Sequence, residues 1–377
     1  MPLQNLTLGS QENLVWLSCY EMPEGFVLDI SGCPLILDAY LNGTQTFTDI
    51  PGFMIFVTYM SGSSTLEIDP QQILVTESAK PSNITSTSVD FNGKMHLITY
   101  IKLSEEVMSD ADAYITTTFN GVTTTHSVSE LIRNLDSQGR VKVRQEMYAA
   151  MMRDEMTLRV LSGAGEIQPL TYKDSTTVID SFVYTALEYL KDRQENSSNP
   201  YMVELARAAE LYGTAVQLKF NYHTEQLTAE DTAAIEEAAE AIIIPASFAE
   251  TLTGTMPEGV TKKTKTVMFE SDNSLRMYFY IDDARIDNFT FTLDGNPVTP
   301  IKKESGKYFV QQTNIASGLL SQEYTFTVSD TVNTCAIRSS VLGYAYDRQN
   351  NSSDASMICL AKLLYRYSQA ANDYFDH

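Results

Sequence analysis

DRQENSS at residues 192–198 and DRQNNSS at residues 347–353 are near-copies of one seven-residue sequence. The match continues without a gap after each stretch, and identical residues recur in constant register. These pairs are Met202 with Met357, Leu205 with Leu360, Ala206 with Ala361, Tyr212 with Tyr367, Ala215 with Ala370 and Phe220 with Phe375. A register that holds over so many positions indicates two diverged copies of one module.

Each copy predicts a long helix, because its apolar residues recur at helical spacing along one face. Asn199-Pro200 supplies a cap and a first-turn proline in the first copy, and Ser353 or Asp354 can cap the second. We expect six residues of these helices to be largely buried: Leu205, Tyr212, Phe220, Leu360, Tyr367 and Phe375.

A second helix is predicted before each long one. The apolar faces of these two helices would be formed by Phe182, Ala186, Tyr189 and Leu190, and by Ile337, Val341, Tyr344 and Ala345. The connecting loops are short and polar, so each pair of helices is predicted to form an antiparallel hairpin packed on the strands of its own copy.

The strand portions correspond more loosely. Residues 95–100 resemble residues 275–280, and residues 156–160 parallel residues 324–328. Asn120-Gly121 and Asp294-Gly295 follow alternating residues and predict tight hairpins, since both turn positions need positive φ. Each copy therefore predicts strands, a hairpin, another strand and then two helices.

The remaining segments set the predicted domain boundaries. Between the copies, Thr228 and Asp231 have the spacing of a capping box, and Pro245 would end the helix that they begin. The first ninety residues lack a helical period and are rich in turn residues, which predicts a separate all-β unit. The expected divisions are 1–90 (N-terminal all-β unit), 91–223 (first module), 224–256 (connecting helix and linker) and 257–377 (second module). The fold class is α+β, mainly β, with each module an antiparallel sheet or sandwich followed by a helical hairpin.

Composition narrows the possible partners. The chain has 377 residues, of which 43% are hydrophobic, enough for more than one domain. A net charge of −22 disfavours nucleic acid and anionic membrane surfaces as partners. The simpler interpretation of this charge is solubility, and the more specific one is an acidic surface that binds Ca²⁺ or cationic ligands.

No segment approaches the roughly 20 apolar residues of a membrane span, so no membrane insertion is expected. The N-terminal residues lack the pattern of a signal peptide.

The four cysteines form no CxxC pair and no zinc motif. Cys335 and Cys359 fall on predicted adjacent helices, where Cys359 should face Val341 and Leu342. Two reduced core thiols are therefore expected there. Cys19 and Cys33 both lie in β-like sequence, and a disulfide between them is left open.

No catalytic, cofactor-binding or metal-binding residue is assigned. The histidines (His96, His126, His223 and His377) are scattered, and no HExxH, GxSxG, P-loop or GxGxxG motif occurs. A cluster of Glu105, Glu106, Asp110 and Asp112 is interpreted as a solvated acidic turn, with a calcium loop as the alternative.

Two other groups of residues allow a structural or a binding interpretation. The helix faces are rich in tyrosine, and their helical spacing favours core packing over a sugar-binding platform. The basic run of Lys262, Lys263 and Lys265 is interpreted as a solvated strand edge. The single tryptophan, Trp16, and the loop from Glu105 to Asp112 are the first places to look for a binding surface.

Five stretches resemble a module pair of surface and secreted proteins from gut Firmicutes (Ruminococcus-like clostridia). They are residues 103–121, 203–222, 254–282, 287–300 and 360–375, so the resemblance covers roughly residues 90–377. In that family the pair usually closes the C-terminus of long chains, behind extracellular repeats, and carries no catalytic motif.

The resemblance implies export to the cell surface. We therefore expect a non-catalytic extracellular or cell-surface structural or adhesion protein, without cofactors, that binds a protein partner or presents other domains. The alternative is a carbohydrate-binding module of a surface polysaccharide-utilisation system. An enzyme is the third hypothesis, and the absence of a recognisable catalytic constellation disfavours it.

Overall fold

The computed structural model describes residues 81–91, 95–269 and 273–377, together with the backbone of three short strands near the N-terminus. The chain divides into two compact units, Met1–Lys80 and Pro81–His377. The boundary expected at residue 90 is therefore too late, because the strand Ser82–Asp90 is hydrogen-bonded to other strands of the second unit.

The first unit contains a three-stranded parallel sheet. Its strands, in spatial order, are β1 (Asn5–Thr7), β2 (Val27–Asp29) and β3 (Ile73–Leu74). Trp16, Cys19 and Cys33 lie outside the described residues, and so does the disulfide left open between the two cysteines.

The first half of the second unit builds two sheets. Its strands are β4 (Ser82–Asp90), β5 (His96–Lys102), β6 (Tyr114–Phe119), β7 (Val122–Ser127), β8 (Val141–Glu146), β9 (Met156–Leu161), β10 (Ile167–Gln168), β11 (Leu170–Tyr172) and β12 (Phe182–Tyr184). One sheet has the order β11-β4-β5-β8, and the other has the order β10-β9-β6-β7, with β12 also paired to β9. All pairs are antiparallel except β11 with β4.

Five helices belong to this half and the segment after it. They are α1 (Glu105–Ser109), α2 (Val128–Leu131), α3 (Ala186–Asn196), α4 (Pro200–Lys219) and α5 (Ala229–Glu240), with 3-10 turns at Ile132–Asn134, Ala149–Met151, Thr224–Gln226 and Ala246–Phe248. The predicted caps are confirmed, since the Asn199 side chain accepts from backbone N–H groups of α4, and Thr228 and Asp231 cap α5 reciprocally.

The second half also builds two sheets. Its strands are β13 (Thr251–Gly254), β14 (Val260–Phe269), β15 (Asn273–Ile281), β16 (Thr290–Leu293), β17 (Asn296–Pro297), β18 (Ile301–Glu304), β19 (Lys307–Gln312), β20 (Tyr324–Ser329) and β21 (Thr334–Ser339). The sheet orders are β14-β15-β19-β18 and β13-β21-β20-β16-β17, with 3-10 turns at Asp283–Asn288 and Ser317–Leu319. Two helices, α6 (Val341–Asn351) and α7 (Ala355–Asp376), complete this half.

The predicted hairpin turns and cysteine states are confirmed. Asn120-Gly121 and Asp294-Gly295 adopt positive φ between β6 and β7 and between β16 and β17. Cys335 and Cys359 are free thiols.

The core runs through both halves of the second unit. Helix α4 packs most extensively against α7, and the rings of Tyr212 and Tyr367 stack there with centroids 5.0 Å apart. The short helices α3 and α6 contact β4 and β14 of their own halves, but the most extensive helix contact, α4 with α7, joins the two halves and was not predicted. Helix and strand also take similar shares of the described residues, so "mainly β" is wrong.

Two predicted helix starts are wrong. Phe182 lies in β12 and Ile337 in β21, and the helices begin only after the caps Thr185 and Ser340. Local periodicity missed this because short strands end one residue before each cap.

Cys335 is accordingly a strand residue. Cys359 contacts α5, with its Sγ 3.6 Å from the carbonyl oxygen of Ile235, a neighbour that the prediction did not include. The sequence did not indicate that α5 packs beside α7.

The expected burial of the long helices is confirmed at four positions and wrong at two. Leu205, Tyr212, Leu360 and Tyr367 are buried, whereas Phe220 and Phe375 are each 53% exposed. Both phenylalanines follow the last buried turn of their helices, where the apolar stripe extends past the core.

Candidate functional site

The acidic loop expected near residues 105–112 is held by backbone hydrogen bonds. Asp110 Oδ2 accepts from the N–H of Gly163 at 2.7 Å, and its Oδ1 accepts from the N–H of Asp112 at 3.0 Å. These donors hold the pKa of Asp110 below its usual value. A Cβ at Gly163 would lie 2.6 Å from that of Asp112, so the two loops approach closely.

Glu105 and Glu106 lie exposed in the first turn of α1 and do not converge on Asp110. Within the described ranges, no group of three or more His, Cys, Asp or Glu residues could hold a metal ion. Asp110 therefore joins this loop to the loop that contains Gly163.

A polar network that the sequence did not reveal surrounds Asp154, whose surface is 4% exposed. Its carboxylate lies 3.1 Å from His223 Nδ1 and accepts from the Tyr222 hydroxyl at 2.5 Å and from Gln226 Nε2 at 3.3 Å. Burial and the neighbouring carboxylate raise the pKa of Tyr222. Asn120 Nδ2 donates to the same hydroxyl at 2.8 Å.

The backbone at this network is unusual. Asn221 and His223 have φ values of 52° and 43°. These values lie in the left-handed region, which residues other than glycine rarely adopt. Gln217 Nε2 donates to the His223 carbonyl at 2.9 Å and stabilises this turn after α4. Sequence reasoning missed the network because its hydrogen bonds join residues up to 102 positions apart.

The buried carboxylate orients the imidazole of His223 and leaves its Nε2 directed away from Asp154. Such a pair can transfer protons, but nucleophilic catalysis also requires a hydroxyl or thiol hydrogen-bonded to the imidazole. In the part of the chain that the structure describes, Asp154 is the one side chain hydrogen-bonded to this ring. The hydrogen bonds of Asp154 and Gln217 join this turn to the residues just before β9 and to α4.

Two other histidines make contacts of a different kind. His126 Nε2 lies 3.3 Å from Thr117 Oγ1, and the ring of His377 contacts that of Tyr201. Several predicted core tyrosines are indeed buried in the helix faces: Tyr189, Tyr212, Tyr344 and Tyr367. The packing interpretation of these rings is confirmed.

The outer side of the sheet β14-β15-β19-β18 carries a layer of cations on aromatic rings. We name it the basic sheet face and define it by four cations, Lys263, Arg276, Lys303 and Lys307, and three rings, Tyr278, Tyr280 and Phe309. Lys303 and Lys307 Nζ lie 5.5 and 5.6 Å from the centre of the Tyr278 ring. Arg276 Cζ lies 5.0 Å from the centre of the Phe309 ring, and Lys263 Nζ lies 5.4 Å from the centre of the Tyr280 ring.

Strand alternation explains this face. Along β15, Leu275, Met277, Phe279 and Ile281 enter the core, so Arg276, Tyr278 and Tyr280 point to the other side. Tyr278 pairs directly with Phe309 of β19, and their ring centroids are 5.3 Å apart.

A similar but smaller arrangement occurs on the first half. Tyr100 of β5 lies beneath Arg140 and Lys142. Arg140 Cζ lies 4.6 Å from the centre of the tyrosine ring, and Lys142 Nζ lies 5.7 Å from it. Arg140 Nε donates to Asp136 Oδ2 at 2.8 Å, and this pair lowers the pKa of Asp136 to about 2.

The prediction of a solvated basic edge is wrong for two of its three lysines. A β-bulge between Lys262 and Thr264 shifts the alternation, so Lys263 faces outward while Lys262 is half-buried and Lys265 is buried. Lys262 forms an ion pair with Glu250.

No protein-family model matches the sequence, and no curated protein matches it. The resemblance to surface proteins of gut Firmicutes therefore rests on the sequence stretches alone. Over the ranges that the structure describes, no helix combines the length and apolar character needed to cross a membrane.

Proposed function

We propose that this chain is a non-catalytic extracellular or cell-surface binding protein, built from two copies of one module, and that its basic sheet face binds an acidic segment of a protein partner. The observation that carries the proposal is the basic sheet face itself. A chain with 48 acidic and 26 basic residues places four cations together on one sheet surface.

The cations of this face have few internal counter-charges. Among the described residues, Lys263, Arg276 and Lys303 form no ion pair, whereas Lys307 pairs with Glu304 at 3.0 Å. Carboxylates of a partner can supply the missing counter-charges, with attraction that weakens as salt rises. A long polyanion such as nucleic acid would also meet the repulsion of the remaining acidic surface.

The paired strand orders support the duplication. The order β4-β5-β8 in the first half parallels β14-β15-β19 in the second, and β12-β9-β6-β7 parallels β21-β20-β16-β17. Both first hairpins carry a register shift near their start, between Ile84 and Ser86 and between Lys262 and Thr264. Two short helices of similar length, α3 and α6, then lead into α4 and α7.

The packing of α4 on α7 supports a scaffold role. Because these helices share one core, the outer sheet faces of the two halves are held at a fixed separation. Rigid presentation of two sites reduces the entropy lost when both are occupied, which raises avidity.

A charge-reversal experiment tests the binding proposal. The double variant Lys263→Glu with Lys303→Glu should bind a fluorescent Glu-rich peptide at least about tenfold more weakly than wild type in anisotropy titrations, a loss of about 1.4 kcal/mol. The matched control, Lys191→Glu with Arg207→Glu, makes the same charge change on exposed helix positions and should retain binding.

Equal losses in both double variants, or no binding by wild type at low salt, would contradict the proposal.

The carbohydrate-binding alternative is supported by Tyr280, which is 40% exposed on the same face. Binding to neutral glycans on an array, lost in Tyr280→Ala and kept in the double lysine variant, would favour it. Turnover in a hydrolase screen, lost on changing one carboxylate, would overturn the non-catalytic assignment.

A further inference from the structure

Three side chains from separate elements meet beneath β14. Lys265 extends inward from β14 with its side chain 2% exposed, Glu250 precedes β13, and Asp347 lies on α6. The amine Nζ of Lys265 lies 2.7 Å from Asp347 Oδ2 and 3.2 Å from Glu250 Oε2.

Neither contact has the angular alignment of a hydrogen bond. Lys265 Nζ and Glu250 Oε2 are both buried without a hydrogen-bond partner among the described residues. Buried polar atoms are nearly always satisfied, so two unaligned groups in contact suggest that the three side chains are arranged for something other than an ordinary ion pair.

The surroundings of the amine shift its protonation equilibrium toward the neutral form, relative to an exposed lysine. Burial lowers the pKa of Lys265, Asp347 opposes that shift, and the nearby guanidinium of Arg348 adds to it. Lys262 is also close, paired with the other side of Glu250. A neutral amine is a nucleophile, whereas an ammonium is not.

We propose that Lys265 and Asp347 become joined by an amide bond between Nζ and Cγ, with Glu250 as the group that transfers protons. One proton of the ammonium passes to the Asp347 carboxylate, and the Nζ lone pair then forms the bond to Cγ. Glu250 takes a second proton from nitrogen and delivers it to the departing oxygen. Ammonium and carboxylate thus become one amide and one water, and no oxidant, reductant or cofactor takes part.

Position and burial both favour this condensation. The amine and carboxyl group are held in contact, which replaces an encounter between free molecules by a step within one fold. The side chains of Lys265 and Glu250 are 2% and 13% exposed, so water has limited access to the amine, while Asp347 on the other side of the contact is 28% exposed. The bond would tie β14 to α6 and restrict the unfolded chain, as a disulfide does.

The first half offers an internal comparison. Aligned on the bulges, β4 places Ile84 and Thr87 where β14 places Lys262 and Lys265. Asp192, which aligns with Asp347, pairs with its neighbour Arg193 instead. The first half therefore lacks the amine, and the amide bond is expected only in the second.

Intact-mass spectrometry of the denatured full chain tests the proposal. The measured mass of the wild-type chain should be lower by one water than the mass calculated from its sequence. A protease digest should contain residues 265 and 347 in one branched peptide. Lys265→Ala and Glu250→Gln should have their full sequence masses, while Lys263→Ala, on the outer face, should still lose water. Asp347→Asn should lose ammonia in place of water.

The Lys265→Ala variant separates this reaction from dehydration elsewhere, for example at Asp294-Gly295, because it removes the amine. Wild-type chain at full sequence mass overturns the proposal. Loss of water that persists in Lys265→Ala overturns it as well, and persistence in Glu250→Gln overturns the role of Glu250. Circular dichroism of each variant confirms that a missing amide does not reflect an unfolded chain.

Discussion

Tyr212 and Tyr367 lie at the centre of the core with their rings nearly parallel, at an interplanar angle of 8°. Phe91 of the first half contacts Tyr367, and Phe269 of the second half contacts Tyr212, with centroids 6.0 and 6.3 Å apart. Each phenylalanine thus packs on the tyrosine of the opposite half. These four rings join the halves at the scale of single side chains.

Replacement of Tyr212 by alanine should therefore be costly. The ring is almost fully buried, and its loss should reduce the free energy of unfolding by about 3–5 kcal/mol in urea titrations. Phe375→Ala is the matched control, because that ring is half exposed, and it should cost about 1 kcal/mol. Similar losses for both variants would place the core elsewhere.

Asp136 should contribute stability that depends on pH. Its pKa falls from 3.8 to about 2 because Arg140 donates to the carboxylate in the fold. A depressed pKa means that the contribution is complete above pH about 4 and disappears as the pH falls through about 2. Asp136→Asn should thus be less stable than wild type at neutral pH and nearly equal to it at pH 2.

Urea midpoints measured at both pH values check this expectation. Asp174→Asn, at an exposed position, serves as the control and should show a small and pH-independent effect. A stability difference for Asp136→Asn that stays constant between neutral pH and pH 2 would contradict the assigned role of the carboxylate.

At the scale of elements, Gly213 shows how closely α4 approaches its neighbours. A Cβ at this position would lie 2.5 Å from Met152 Sδ and 2.8 Å from the carbonyl oxygen of Ala149. Gly213→Ala gains about 1 kcal/mol in helix propensity but forces the 3-10 turn at Ala149–Met151 away. We expect a net loss of about 1–3 kcal/mol in thermal or urea unfolding, and an increase in stability would show that the turn yields easily.

Elements with local signals were predictable from the sequence. The caps at Asn199 and Thr228 and the turn at Asn120-Gly121 depend on hydrogen bonds and φ values within a few residues. The exposure of Phe220 and Phe375 was not predictable, because it depends on where the neighbouring element ends.

The candidate site was less accessible to sequence reasoning. The outward direction of Lys263 depends on a bulge that no local motif marks, and the basic sheet face joins residues of β14, β15, β18 and β19. The network of Asp154 and His223 is likewise set by tertiary contacts. Pairing between distant strands decides which side chains share a face, and a pattern within one strand does not contain that information.

At the scale of the whole molecule, charge is distributed unevenly. A net charge of −22 repels polyanions at long range, whereas the basic sheet face, under the proposed function, attracts carboxylates at short range. This combination favours a partner with a short acidic segment. The shared core of α4 and α7 places that face on one compact unit.

The most direct test is amine footprinting of the full chain with and without the Glu-rich peptide. Acetylation of Lys263 and Lys303, read by mass spectrometry of peptides, should fall when the peptide is bound, whereas acetylation of the exposed Lys191 on α3 should not change. Protection confined to Lys263, Lys303 and Lys307 is the predicted result. Unchanged acetylation of these lysines at a peptide concentration that saturates binding would contradict the assignment of the basic sheet face as the binding surface.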